Sequence, residues 1–343
     1  MPEPSGEEAR EVPTPEKSIL KNEIPDIKIE LPVLEFENPA EVAQEVDRLT
    51  KKLKIYVREE KLQPQDPDAL EKRIVDYQIK YLPEHLRTKH KNIIKRGIET
   101  FSSWFAKDAE GKENIPEGGP FVIICNHFGP ETNAILKNFK DYNLHIVVGN
   151  QIWGERSSIH RWLFEKMGMV FAKESLAHLT KEEKEASLLK QDAYGKQVFR
   201  KIIDREEQGN GPVDTEFIRQ SVALLARGDV ICIFPEGLWL DPKGFALNPR
   251  ENPKMKQGYA GFELIARQYK KLTGKDLPIL PTAFAENKDS SESGLRVGEP
   301  VVLGDNKTEF GDADWCMAQI AKMLPEEQRG YYKDIVEELE KSQ

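Results

Sequence analysis

The sequence predicts an α/β fold, a mostly parallel sheet flanked by helices, with an N-terminal helical extension. Short apolar runs such as FVIIC and VICIF are bounded by turns and separated by helical patterns. Runs without alternation of apolar and polar residues are typical of parallel strands that are buried on both faces. The 343 residues are enough for one large domain with an accessory segment.

Composition excludes several classes of protein. The net charge of −9 argues against a general nucleic-acid binder, so we expect no nucleic-acid partner. Cys125 and Cys232 lie in apolar runs and form no CxxC pair with Cys316, which favours buried core cysteines in a reducing cytoplasm. The N-terminus lacks the apolar segment of a signal peptide, and no run of 18 apolar residues predicts a membrane span. A lipid bilayer would therefore be met from outside.

The chain divides into three predicted regions. Residues 1–38 are rich in Pro, Glu and Lys and predict a disordered or extended lead. Residues 39–110 have helical periodicity, and residues 111–343 form the α/β domain with C-terminal helices. The charged helical insertion at 174–211 is interpreted as a lid, a carrier-docking element or a plain elaboration, of which the last is favoured.

The helix predicted over residues 92–105 is amphipathic and basic. We expect its apolar face to contain Ile93, Ile94, Ile98, Phe101, Trp104 and Phe105. Such a face either packs on the domain or lies in a membrane interface, and packing is favoured because amphipathicity is the normal state of a soluble helix.

The α/β region alternates between strand and helix along the chain. The predicted strands are FVIICNH, LHIVVG, GMVFA, DVICIFPEG, LPILPTAFAE and LRVGEPVVL. The predicted helices between the first five are PETNAILKNF, RSSIHRWLFEKM, DTEFIRQSVALLARG and QGYAGFELIARQYKKLTG, and two more close the chain. Carboxyl ends of parallel strands meet at one edge, where ligands bind.

Polar residues follow two of these strands. Asn126, His127 and Glu131 follow the first, and Glu236 follows the strand that ends in FPEG. Histidine is the natural general base near neutral pH, and a carboxylate on its other ring nitrogen fixes the tautomer. The alternative is that His127 caps a helix and Glu131 complements the helix dipole. The residues alone leave these two interpretations equal.

At this point the sequence resembles the glycerophospholipid acyltransferase superfamily, typified by the 1-acylglycerol-3-phosphate acyltransferases. The resemblance spans about residues 118–305 and rests on ordered blocks. Those blocks are CNHFGPETN, GMVFAKE, IFPEGLWL, and KMKQGYAGFELIA followed by ILPTAF, with LRVGEPV similar to the family's terminal strand.

The resemblance implies an acyltransferase with His127 as the base. The base would deprotonate an acceptor hydroxyl, which attacks the thioester of acyl-CoA or an acyl carrier protein. The donor is a co-substrate, and no cofactor or metal is implied. Substrate contacts would come from the residues Asn126, Lys173, Phe234, Pro235, Glu236, Gly237 and Lys256. Gly237 would permit a close backbone approach.

Three departures from the family pattern affect this interpretation. The family's aspartate would fall at Thr132, and the acid here is Glu131, so we assign the orienting role to Glu131 with Thr132 as fallback. Lys173 replaces an arginine, which keeps the charge but not the bidentate geometry. Residues 238–240 are Leu-Trp-Leu where the family has Thr-Arg-Ser, which favours a less charged or bulkier acceptor.

The sequence therefore predicts transfer of a fatty acyl group to a hydroxyl of a lysophospholipid or related lipid. We expect a cytoplasmic enzyme of phospholipid biosynthesis with peripheral contact to the inner face of the membrane. Two alternatives remain open: a catalytically reduced acyl- or lipid-binding protein on the same fold, and a thioester hydrolase.

Overall fold

The computed structural model describes most of the chain after residue 92 and a short part before it. The described residues are 79, 82–87, 93–127, 131–150, 157–173, 181–190, 193–207, 214–237, 254–285 and 294–341. The predicted lead at 1–38 lies outside this set, as does most of the predicted helical region before residue 84.

The described part contains helices that alternate with strands. In chain order the elements are α1 (Glu84–Arg87), α2 (Ile93–Phe105), β1 (Phe121–Cys125), α3 (Glu131–Asn138), β2 (Leu144–Gly149), α4 (Ser158–Lys166), β3 (Val170–Ala172), α5 (Lys181–Lys190), α6 (Ala193–Glu207), α7 (Thr215–Ala226), β4 (Val230–Ile233), α8 (Gly261–Thr273), β5 (Ile279–Ala285), β6 (Gly294–Val297), α9 (Asp312–Lys322) and α10 (Lys333–Lys341).

The strands form one sheet in the order β3-β2-β4-β1-β5-β6. The first five are parallel, and β6 pairs antiparallel with β5. In the centre, Phe121 pairs with Val230, so β1 and β4 end at the same level. Every residue of β1, β4 and β5 is buried, as expected for apolar parallel strands covered on both faces. The predicted fold class is confirmed.

The two faces of the sheet carry separate apolar cores. Val122 and Ile124 of β1 point into a core with α7, α8, α9 and α10. Phe121, Ile123 and Cys125 point into the other core, which contains α3 and the edges of α2 and α4. This alternation follows from the period of two along a strand. Because β1 and β4 are neighbours, the residues that follow their carboxyl ends leave the sheet side by side.

Helix α2 is oriented differently from the sequence prediction. Phe101 and Trp104 are 57% and 75% exposed, whereas Lys95, Glu99 and Ser102 are buried. The buried polar groups are satisfied by their neighbours: Lys95 Nζ donates to the Leu144 carbonyl at 2.7 Å, and Ser102 Oγ donates to Asn133 at 3.1 Å.

The prediction that Phe101 and Trp104 share the packed face was therefore wrong. They lie opposite the residues that pack on α3 and β2. Ile94 and Ile98 are half-buried, and the side chains of Ile93 and Phe105 lie outside the described set.

The predicted insertion at 174–211 contributes two helices, α5 and α6. Lys184 and Glu206 join them through an ion pair of 2.9 Å, and Val198, Phe199 and Ile202 of α6 are buried. Among the described helices, none combines the length and the apolar character that a bilayer span requires.

Candidate active site

Residues from the ends of β1 and β4 meet at the carboxyl edge of the sheet. Asn126 and His127 follow β1 directly, and Phe234 to Gly237 follow β4. The two strands are neighbours, so the side chains that leave them converge at one place.

His127 and Glu131 form the pair that the sequence placed together. The Nδ1 atom of His127 lies 2.5 Å from Oε1 of Glu131, the first residue of α3. The Glu131 side chain is fully buried, whereas that of His127 is 26% exposed. The Nε2 atom of His127 makes no hydrogen bond with the described residues. Glu131 thus occupies one ring nitrogen, and the His127 side chain keeps part of its surface exposed.

The surroundings favour the protonated form of His127. Burial alone lowers its pKa, but the hydrogen bond and charge of Glu131, followed by the charge of Glu236, outweigh burial and raise the pKa above its usual value. An imidazole that binds a proton more firmly is a better general base, provided that it is neutral when substrate arrives.

Phe234 holds the ring of His127 from one side. The two rings are stacked, with centroids 4.7 Å apart and an interplanar angle of 28°. Phe234 is half-buried, so the contact restricts the imidazole without sealing the site.

Asn126 is buried behind the histidine. Its Nδ2 donates to the Phe284 carbonyl at 3.0 Å, and its Oδ1 accepts from the Phe284 amide at 2.7 Å. The side chain is fully buried and joins the end of β1 to β5. In this structure Asn126 positions the backbone before His127, and its predicted contact with substrate stays a prediction.

Glu236 and Lys256 lie beside the pair. Glu236 is buried, and its two carboxylate oxygens accept the backbone amides of His127 at 2.9 Å and Lys256 at 2.7 Å. Lys256 is half-buried; burial lowers its pKa and the charge of Glu236 opposes that effect. The structure places Glu236 between the main chain of His127 and that of Lys256, and the substrate contacts assigned to Glu236 and Lys256 stay predictions.

Gly237 closes the turn after β4 in a conformation that favours glycine. Its φ is 68°, and a Cβ atom there would lie 2.5 Å from the ring of Tyr259. The Tyr259 amide in turn donates to the Pro235 carbonyl at 2.8 Å. The sequence analysis did not single out Tyr259, although it stands in the block KMKQGYAGFELIA.

Thr132 lies next to the His127–Glu131 pair, whereas Lys173 lies at the far edge of the sheet. Thr132 follows Glu131 in α3 and is half-buried, next to the site. Lys173 is exposed after β3, and β2 and β4 lie between β3 and β1 in the sheet. Its amide donates to Asp214 at 2.7 Å. The roles assigned to both residues stay predictions.

The cysteines and the possible metal-binding side chains form no further site among the described residues. Cys125, Cys232 and Cys316 are buried and unpaired by disulfides, as predicted, and burial raises the pKa of each thiol. Within the described residues, no group of three or more His, Cys, Asp or Glu side chains is arranged to hold a metal ion.

A buried carboxylate paired with a histidine at the carboxyl edge of a parallel sheet is an arrangement typical of α/β enzymes. The family model described as Acyltransferase matches residues 108–285, about half of the chain. The chain belongs to this acyltransferase family and is an acyltransferase enzyme. The match confirms the family that the sequence blocks indicated.

Two further comparisons were made. The solved structure of the 1-acyl-sn-glycerophosphate (LPA) acyltransferase PlsC from Thermotoga maritima is similar at 15% identity, covering 87% of this chain and 95% of that chain, with a TM-score of 0.37. A comparison with curated proteins found no significant match.

Proposed function

We propose that the protein transfers a fatty acyl group from acyl-CoA or an acyl carrier protein to a hydroxyl of a lysophospholipid or related lipid, with His127 as general base. The observation that carries this proposal is the 2.5 Å contact between His127 Nδ1 and the buried Glu131, at a strand end where the ring is partly exposed.

The proposed chemistry is a direct transfer. Nε2 of His127 takes the proton of the acceptor hydroxyl while the hydroxyl oxygen attacks the thioester carbonyl. The new C–O bond forms, the C–S bond breaks, and the departing thiolate receives the proton from the imidazolium. Glu131 stabilises that imidazolium between the two proton transfers.

Lys256 and the turn after β4 are the proposed contacts for the substrates. The half-buried ammonium of Lys256 lies close enough to Glu236 for their charges to interact, so it supplies positive charge near the base. A phosphate of the donor or the acceptor is the natural partner of such a charge. Phe234 and Gly237 are half-buried beside His127 and would border the reacting groups.

We place the reaction at a membrane surface on the cytoplasmic side, with α2 as the contact. Its outward stripe carries Phe101 and Trp104, and the exposed Arg96 and Lys107 flank it. Aromatic rings next to basic side chains are typical of a helix that lies in the interface of an anionic bilayer.

The transfer is tested with the purified chain, labelled acyl-CoA or acyl carrier protein, and a panel of lysophospholipids, with products read by mass spectrometry. We expect an esterified lipid that depends on both donor and acceptor. Release of free acid without an acceptor would identify a hydrolase instead, and binding of the thioester without any product would identify a binding protein.

The membrane contact is tested by sedimentation with phosphatidylcholine vesicles that contain or lack phosphatidylglycerol. Phe101→Ser with Trp104→Ser should lower binding by about 100-fold or more, because burying each ring contributes roughly 1.5–3 kcal/mol. The matched control is Ile159→Ser with Trp162→Ser, which removes two exposed apolar residues from α4. Equal losses from both pairs would reject α2 as the specific contact.

A further inference from the structure

Glu236 connects two segments that are far apart in the chain. Its Oε1 accepts the His127 amide 109 residues away, and its Oε2 accepts the Lys256 amide 20 residues away. The side chain is 2% exposed. Because each oxygen already accepts a backbone N–H, the carboxylate is directed at the main chain on both sides.

The segment at 254–259 is itself held from other directions. The Met255 amide donates to the Gln328 carbonyl at 3.0 Å, and the Gly258 amide donates to the hydroxyl of Tyr332 at 2.8 Å. This segment is therefore a fixed support, and Glu236 is the side chain that ties His127 to it.

We infer that Glu236 is a positioning residue: its carboxylate sets the backbone of His127 relative to Lys256 and does not bind the acyl acceptor. The inference rests on the proposed function, in which His127 is the base. It reassigns the glutamate of the FPEG block, for which the sequence resemblance implied a substrate contact.

The charge on Glu236 makes this arrangement sensitive to pH. Burial raises its pKa to about 7, against the lowering effect of the amides of Lys256 and His127. The titratable groups that interact with it are the His127 ring, the Lys256 ammonium and the buried Cys125 thiol. A proton on either oxygen removes the negative charge and competes with an incoming N–H, so protonation weakens the hold on the two amides.

The expected pH dependence follows from these two groups. As pH falls, Glu236 loses its charge near pH 7 and His127 gains a proton above its usual pKa, and each event removes activity. Two such ionisations give a plot of log kcat against pH whose acid side approaches a slope of about 2.

The test is Glu236→Gln in the full chain. The amide has one acceptor oxygen, and its NH2 group opposes the second N–H. We expect kcat to fall by roughly 10- to 100-fold because the base is misplaced, with KM for donor and acceptor nearly unchanged. The acid slope of log kcat should fall from about 2 to about 1.

Glu263→Gln is the matched control. Glu263 is also a buried carboxylate whose pKa is raised by burial, but it pairs with Arg267 within α8. This variant should keep kcat and the slope. A raised KM for the acceptor with unchanged kcat in Glu236→Gln would instead identify Glu236 as a substrate contact and overturn the inference.

NMR titration of the His127 ring separates this inference from the proposed function, since it needs no substrate. In Glu236→Gln the ring loses a nearby negative charge, so its pKa should fall, and its chemical shift should move. If the wild type transfers no acyl group yet these changes occur, the proposed function fails and the positioning role stands. An unchanged His127 signal in a folded variant would overturn the role. Should Glu236→Gln not fold, Glu236→Asp keeps the charge but shortens the reach to the two amides. For that variant we expect kcat to fall while KM and the acid slope of about 2 are kept, and an unchanged kcat would overturn the role.

Discussion

The two edges of the parallel sheet each hold a histidine beside a carboxylate, and the pairs differ in their surroundings. At the carboxyl edge, His127 contacts Glu131 through Nδ1 and is 26% exposed. At the amino edge, Nδ1 of His145 lies 2.6 Å from the Gly168 carbonyl, its Nε2 lies 3.3 Å from Asp229, and both side chains are 2% exposed. Both ring nitrogens of His145 are thus occupied.

The pKa values of the two histidines are also shifted in opposite directions. Burial lowers the pKa of His145, and the charge of Lys95 adds to that effect against Asp229. Glu131 and Glu236 instead raise the pKa of His127 against burial. The two histidine–carboxylate pairs therefore differ in burial, in hydrogen bonding and in the direction in which the histidine pKa is shifted. The base proposed above is the more exposed histidine, whose pKa is raised.

Asp229 belongs to a structural network. It forms an ion pair with Arg227, whose Nη1 donates to the carbonyls of Leu86 and Arg87 at 2.7 and 2.9 Å. The network ties α1 to the turn before β4. We therefore expect the amino-edge pair to contribute to stability, whereas the carboxyl-edge pair is the one for which we propose the chemistry.

The largest expected effect is a loss of stability when the amino-edge pair is changed. Asp229→Asn breaks the buried ion pair between Arg227 and Asp229, so the free energy of unfolding should fall by roughly 3–5 kcal/mol in a denaturant titration. Acyl transfer per folded molecule should be unchanged. A variant that kept its stability but lost turnover would reverse the assignment of the two edges.

Glu131→Gln should lower turnover rather than stability. The amide cannot stabilise the imidazolium, so kcat should fall by roughly 100-fold, within the range of general base catalysis. Thr132→Val is the matched control in the next position of α3 and should cause a much smaller loss. If Thr132→Val proved the more harmful change in steady-state assays, the acid would be assigned wrongly.

The pH profile sharpens the comparison further. The rate should fall as pH drops through the pKa of His127, which lies above 6.5, because the protonated ring accepts no proton. Glu131→Gln removes the interaction that raises this pKa, so the His127 step should move to lower pH while the Glu236 step near pH 7 stays in place. Asp229→Asn acts on His145 and should leave the profile in place; a shift there would contradict the separation of the two pairs.

The smallest effect concerns two glycines with positive φ. Gly237 has a φ of 68°, and a Cβ atom there would lie 2.5 Å from the Tyr259 ring, whereas Gly274, after α8, has a φ of 72° and a Cβ atom there would meet open space. Alanine should destabilise either position by roughly 1–2 kcal/mol through backbone strain. Gly237→Ala should also lower kcat, since it displaces the turn beside His127. Equal kcat in both variants would show that the contact with Tyr259 is unimportant.

Much of the fold was predictable because it depends on local patterns. Continuous apolar runs identified β1 and β4, and the spacing of four residues brought Glu131 to His127 because α3 begins at Glu131. The bond from Glu236 to the His127 amide spans 109 residues and leaves no local signature.

Helix α2 illustrates the same limit. Apolar spacing grouped Phe101 and Trp104 with the packed face, but the buried positions include the polar residues Lys95, Glu99 and Ser102. Lys95 can be buried there because the Leu144 carbonyl accepts its proton, a partner that sequence periodicity does not reveal.

The most direct test of the account is acyl transfer by His127→Ala beside His145→Gln, each confirmed as folded by circular dichroism. The account predicts that His127→Ala lowers kcat by roughly 10²- to 10⁴-fold, whereas His145→Gln keeps kcat per folded molecule. Wild-type transfer by folded His127→Ala protein would contradict the claim that His127 is the base.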